Sequence, residues 1–193
     1  MCQYKSAIAV KDNREKSGFR LLWSPFTESH EELVRIFKLR DVRDHLARVE
    51  FSPPDLKTAH QVKTYKLKID EARTPEWLTD ERQAVIVEKL STYVESIIID
   101  GDADLLIGGQ FILAPGARVA VLGQASVVTE MWGTSQVGTM RETSQVGTMW
   151  ETSQVGTMRG TSQVGTMWET SQVGNKSTTV KIKNDQRQKE TEK

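Results

Sequence analysis

The sequence predicts a small α+β domain followed by a β-solenoid with about 18 residues per coil. Three observations carry this. A nine-residue unit repeats in tandem from Thr134, its eighth position alternates between Trp and Arg, and composition changes near residue 100. Every Phe and Tyr lies at or before Phe111, whereas five of the six Met and three of the five Trp fall between Met131 and Trp168.

The repeat reads TSQVGTMRE, TSQVGTMWE, TSQVGTMRG, TSQVGTMWE and TSQVG, with a degenerate first copy, ASVVTEMWG, at Ala125. Thr, Ser, Val and Gly dominate, all poor helix formers. The order Trp132, Arg141, Trp150, Arg159, Trp168 doubles the chemical period to eighteen, which suits a coil of two short strands and two bends. The tryptophans then stack in one column and the arginines in another, on opposite sides. Val (Val137, Val146, Val155, Val164) and Met (Met140, Met149, Met158, Met167) are the shared apolar positions and should form the core ladders. They are three residues apart, so a bend is expected between them at the intervening Gly, which tolerates positive φ. Gln136, Gln145, Gln154 and Gln163 suit stacked amide ladders.

Residues 96–124 read as irregular first coils. The β-branched run Ser96–Asp100 ends at Asp100-Gly101, Leu105-Leu106-Ile107 at Gly108-Gly109, Phe111-Ile112-Leu113 at Pro115-Gly116, and Val119–Leu122 at Gly123. The nonapeptide solenoid proper covers 125–178, and 179–193 reads as a polar, mostly disordered tail in which Thr178–Ile182 offers one more strand. Upstream, residues 1–95 mix helix and strand. Ser29-His30-Glu31-Glu32 is a capping box opening a helix near 29–39. Ala47, Val49 and Phe51 alternate with charged residues, as do Tyr65, Leu67 and Ile69, so both segments read as half-exposed strands. A second helix opens at Thr79-Asp80-Glu81, with Val87, Leu90, Val94 and Ile97 on one face. Residues 4–10 and 18–23 are further strand candidates.

Lys+Arg and Asp+Glu are equal at 26 each, so no global field favours nucleic acid or an anionic membrane. No apolar run is long enough to span a bilayer, and the N-terminus lacks the apolar core of a signal peptide; a cytoplasmic protein is expected. Cys2 is the only cysteine, so neither an intramolecular disulfide nor a cysteine-based metal cluster can form.

Little in the chain selects a reaction. His30, His45 and His60 show no metal-ligand spacing, and GxxxxGK[ST], GxGxxG and GxSxG are absent. Asp100–Asp104 resembles a calcium loop, but Leu105 and Phe111 stand where an EF-hand needs Gly and Glu, so a turn with solvated carboxylates is expected. No catalytic residue, metal or cofactor is assigned, and the enzyme reading is disfavoured. The candidate binding residues are the columns: Trp132, Trp150 and Trp168 as an exposed apolar ridge or a filled corner, and Arg141 and Arg159 as a face neutralised by Glu142 and Glu151.

The repeat TSQVGTMW/TSQVGTMR, with the preceding IIIDGDADLLIGGQFILAPGARV, resembles uncharacterised phage and mobile-element proteins in which a small N-terminal domain precedes such an array. The resemblance runs from Ile97 to Gly174. It implies a β-solenoid and a viral origin and supplies no catalytic residues. The function expected is therefore a non-enzymatic interaction or scaffold protein that binds a protein partner, such as a host factor, with self-association a further expectation. The alternative is a small enzyme or nucleic-acid-binding N-terminal domain displayed on a structural solenoid; a pocket joining a histidine to carboxylates would favour it.

Overall fold

The computed structural model describes residues 5–42 and 44–187. Cys2 and the last six residues of the expected tail lie outside them. The chain divides into two compact units, Met1–Glu95 and Ser96–Lys193.

The first unit is built on an antiparallel sheet of β1 (Lys5–Lys11), β2 (Phe19–Leu22), β3 (Leu46–Ser52) and β4 (Lys66–Ile69), in the order β2-β1-β3-β4. β1 is central and buried along both faces from Lys5 to Val10. That is why its sequence, KSAIAV, shows no clean alternation. Ile8 and Val10 pack with Leu46 and with Leu33 of helix α1 (His30–Ile36). The opposite side chains Ala7, Ala9, Ala47, Val49 and Phe51 are equally buried.

Ser29 caps α1 by accepting from the Glu32 backbone N–H at 3.3 Å, as the capping box requires. The return bond differs from the expected one: Glu32 accepts from the Thr27 hydroxyl, whose oxygen in turn accepts from Ser29 N. Thr27 thus stands between the Ser29 N–H and the Glu32 carboxylate that would otherwise accept from it directly. Helix α2 (Asp80–Ile97) buries Ile86, Leu90 and Val94, a strict i, i+4 row led by Ile86 rather than Val87. It also takes in Ile97, so the β-branched run expected as one strand is shared between the helix and a two-residue strand, β5 (Ile98–Ile99).

The second unit is a β-solenoid of about five turns. Its strands are β6 (Asp102–Leu106), β7 (Gly109–Leu113), β8 (Arg118–Leu122), β9 (Ser126–Met131), β10 (Gln136–Met140), β11 (Gln145–Met149), β12 (Gln154–Met158), β13 (Gln163–Met167), β14 (Gln172–Lys176) and β15 (Lys181–Asp185). Even-numbered strands form a parallel sheet, β14-β12-β10-β8-β6, and odd-numbered ones a second, β15-β13-β11-β9-β7-β5. Successive nonapeptides therefore fall on opposite sheets, and each residue pairs with its equivalent eighteen positions on: Val137↔Val155, Met140↔Met158, Val146↔Val164, Met149↔Met167. All of these Val and Met side chains are buried in one continuous core.

A third inward position was not expected. Ser126, Ser135, Ser144, Ser153, Ser162 and Ser171 are all fully buried. Ser stands two residues before Val, so strand alternation puts both on the inner face. From Ser135 to Ser171 these five hydroxyls have no hydrogen-bond partner among the described residues.

The repeat glycines are not bends. None of Gly138, Gly147, Gly156, Gly165 and Gly174 has positive φ; they lie within the strands. Each sits against the coil before it: a Cβ on Gly147 would lie 2.5 Å from the Thr129 carbonyl oxygen, and one on Gly156 2.7 Å from that of Gly138. The ladder passes over this position, from Val137↔Val155 to Thr139↔Thr157. The offset stays eighteen on either side, so no residue is inserted; the in–out alternation breaks between Val and Met, and both face inward although they are three apart. Positive φ occurs instead at the ninth position of the unit: Gly133 (59°), Glu142 (52°), Glu151 (54°), Gly160 (66°) and Glu169 (54°). These residues follow Trp or Arg in tight turns closed by Ser N–H to the Trp or Arg carbonyl, as from Ser135 to Trp132 (3.0 Å) and from Ser144 to Arg141 (3.1 Å). The Thr that follows binds the preceding coil; Thr152 and Thr170 donate to the carbonyls of Gly133 and Glu151.

The coil pattern continues past Gly174. In β14 and β15 the inward Met is replaced by Lys176, opposite Met158, and by Asp185, opposite Met167. Val180, Lys181 and Ile182 take the Ser, Gln and Val places, so the further strand offered at Thr178–Ile182 forms, shifted to Lys181–Asp185 within the segment expected to be mostly disordered. The hydrogen bonds of Arg187, with the charges of Arg187 and Lys176, hold the Asp185 carboxyl below its ordinary range. Arg187 also donates to the Ser171 carbonyl.

Candidate functional sites

The tryptophan column forms because the eighth residue of each odd-strand unit leaves its sheet at the same corner. Trp132 and Trp150 stack at 5.0 Å and 5°, and Trp150 and Trp168 at 5.5 Å and 4°. These near-parallel indoles follow the interstrand repeat of about 4.8 Å, as identical stacked side chains do. Of the two expectations for the column, an exposed ridge and a filled corner, each describes part of it. Trp132 is 2% exposed, so it fills a corner, and only Trp150 and Trp168 are half-exposed.

Arg141 and Arg159 leave the even-numbered sheet and are exposed. The acids assort differently from expectation. Glu142 shares the arginine corner, but Glu151 and Glu169 follow Trp150 and Trp168 and so sit at the tryptophan corner. Gly160 takes the corresponding place after Arg159. The arginine corner is thus incompletely neutralised, and the indole corner is acidic.

Glu130 lies against the same column. It takes the place of the repeat's second Thr, paired with Thr148 in the adjacent strand. Its carboxylate accepts a 2.6 Å hydrogen bond from the Trp150 indole Nε1. Burial pushes its pKa up to about 7, against the opposing effect of that hydrogen bond.

The glutamines stand in register, Gln136↔Gln154 and Gln145↔Gln163, yet no amide–amide hydrogen bond links them among the described residues. Asp100, Asp102 and Asp104 are exposed at a turn and the start of β6.

No known protein family, curated protein or solved structure matches the chain.

In the first unit one histidine does meet carboxylates. His30, the first residue of α1, is 7% exposed, and its Nε2 lies 3.1 Å from the Val49 carbonyl. Its Nδ1 lies 3.4 Å from Asp70, just beyond β4, and donor atoms of His30, Glu50 and Asp70 all fall within 4.8 Å of one another. Lys68 reaches the same place, 3.4 Å from Glu50 and 3.9 Å from Asp70. Spacing of twenty residues between successive members, on a helix start, a strand and a strand end, left no motif in the sequence. His45 is exposed and His60 half-buried, and neither joins such a group among the described residues.

Two other polar clusters occupy the first unit. Lys5, 4% exposed, donates to Glu28 at 2.6 Å and to the Ser24 carbonyl at 2.8 Å, while Glu28 also accepts from Ser6 N. Burial lowers the lysine pKa and raises that of the glutamate, each against the attraction of its partner. A cleft of about 460 Å³ is lined by Lys11, Asp41, Arg48, Glu71, Arg73 and Trp77, among others. Arg48 spans its wall with ion pairs to Asp41 and to Glu71 (2.5 and 2.9 Å). Among the described residues, no helix is long and apolar enough to cross a membrane.

Proposed function

We propose that the chain is a cytoplasmic, non-enzymatic interaction protein whose solenoid presents a rigid acidic–aromatic corner to a basic segment of a protein partner. The observation that carries this is the pairing of half-exposed Trp150 and Trp168 with Glu151 and Glu169 along one edge of the stack. Indoles supply large contact area at low entropic cost, and their neighbouring carboxylates select cationic side chains. The coil-to-coil hydrogen bonds hold the corner rigid, which lowers the ordering cost of binding. The exposed Arg141 and Arg159 form a second, weaker contact surface of opposite sign on the other corner. A phage origin, which the repeat's resemblance implies, makes a host protein the partner.

The test is capture of partners from host lysate by the intact protein and by a Trp150→Ser/Trp168→Ser variant, both shown folded by circular dichroism. Trp132 is left in place because it is buried. A partner that is lost in the variant and released by moderate salt is expected. A partner retained by the variant would overturn the reading and move attention to the first unit.

A second reading is favoured by one observation. His30 meeting Glu50 and Asp70 is the histidine–carboxylate association that a working first unit would need, so ligand binding there stands as the alternative function.

A further inference from the structure

We propose that His30, Glu50 and Asp70 form a binding site for a first-row divalent cation of the Zn²⁺ class, which Lys68 fills as a competing cation in the metal-free protein. The argument begins with the imidazole. Its Nε2 faces a backbone carbonyl, the 3.1 Å contact with Val49, and a carbonyl only accepts. Nε2 therefore carries the proton, and in the neutral ring Nδ1 presents a lone pair. Metal-bound histidines use this arrangement: the outer nitrogen donates to a carbonyl, fixing the tautomer and the ring plane, while the inner one ligates. The ring is also nearly inaccessible to solvent, so its orientation is set by packing.

The separations suit coordination. Bonds of about 2.1 Å at a tetrahedral angle place two donor atoms roughly 3.4 Å apart. The Nδ1 to Asp70 Oδ2 distance is 3.4 Å, longer than the usual 2.7–2.9 Å of a charged N–H···O hydrogen bond. Glu50 supplies the third ligand within the 4.8 Å cluster. One nitrogen and two carboxylate oxygens favour a borderline ion over Mg²⁺, which prefers an all-oxygen shell and retains its waters.

Lys68 supports this reading. Its ammonium lies against both carboxylates, where a cation is electrostatically demanded, yet its side chain is 64% exposed. A flexible stem lets it withdraw into solvent without disturbing β4. Its removal should leave the two carboxylates uncompensated and a metal ion more tightly held. Asp70 is itself about half exposed, which leaves an entry path on that side.

The experiment is isothermal titration of the full chain with Zn²⁺ alone, and with Mg²⁺ in parallel, for wild type, Asp70→Asn, Glu50→Gln and Lys68→Ala. Saturable one-to-one Zn²⁺ binding is expected, weakened at least tenfold by either carboxylate variant and tightened severalfold by Lys68→Ala, with Mg²⁺ bound far more weakly. Co²⁺ added to wild type and to Lys68→Ala should give visible d–d absorption, stronger at equal metal in the variant. This pair of proteins decides the matter if a carboxylate variant fails to fold. The proposal is overturned by an absence of saturable Zn²⁺ binding, by binding indifferent to Asp70 and Glu50, by Mg²⁺ bound as tightly, or by Lys68→Ala weakening the metal.

Discussion

Glu130 and Trp150 are joined across one coil of the solenoid by a 2.6 Å hydrogen bond from the indole Nε1 to the carboxylate. The bond favours the ionised acid, but loss of water around it weighs more, and the carboxyl titrates near 7 instead of near its ordinary 4.5.

The folded chain therefore keeps a proton that the unfolded chain has already lost. Stability should be greatest below about pH 4.5 as far as this group is concerned, fall as pH rises to about 7, and level off above. The loss is roughly 2–3 kcal/mol at most. Glu130→Gln should remove this slope and leave the variant more stable than wild type at pH 8. Urea unfolding at pH 5 and pH 8, followed by Trp fluorescence, checks both.

The repeat glycines answer to space. Gly147→Ala should destabilise by about 2–4 kcal/mol, since the new methyl would press on the Thr129 carbonyl 2.5 Å away and neither strand can give. Gly101→Ala, with nothing within 4 Å and no positive φ, should change stability by less than about 1 kcal/mol. Equal effects in denaturant titration would contradict the close-approach account.

Left-handed turns make the opposite prediction. Glu142 and Glu151 hold φ of 52° and 54°, a region costing a side-chain-bearing residue about 1 kcal/mol. Glu142→Gly and Glu151→Gly should each raise stability by roughly 0.5 kcal/mol once the added freedom of the unfolded chain is counted. Gly160→Glu should do the reverse and by more, because a Cβ there lies 2.9 Å from the Glu142 Cα. Thermal melts of the three variants would show opposed shifts in Tm.

The far end of the stack carries Lys176 and Asp185 where the earlier coils have Leu or Met. Both are exposed there, and charges at an open sheet edge are a recognised barrier to edge pairing. Lys176→Met/Asp185→Met should raise the mass seen by light scattering as ends associate, more so when residues beyond 186 are removed. An unchanged mass would show that the charges do not guard this end.

The doubled period was legible because Trp and Arg alternate, and so were the Val and Met ladders, whose types announce burial. Ser144 and Ser153 were not read as core residues, since hydroxyl side chains are usually solvated. The available clue was their position two residues before Val. Gly147 was given a bend, because sequence shows that a glycine is needed without showing whether dihedral angle or space demands it. Glu151, which follows Trp150, is assigned to the arginine face by sequence proximity alone, and only the separation of odd units from even on two sheets places it with the tryptophans. The meeting of His30 with Asp70 depends on where α1 lands on β3 and β4, which no local pattern encodes.

The alternation of units between sheets makes chain length a matter of parity. Losing or gaining eighteen residues, TSQVGTMWE with TSQVGTMRE, would change the height of the stack by about 4.8 Å and leave every remaining residue on its own side. A nine-residue slip would carry Lys176 and Asp185 to each other's sheets and put arginine beneath tryptophan. An array this uniform is open to both kinds of replication error, and only the even ones preserve the surfaces.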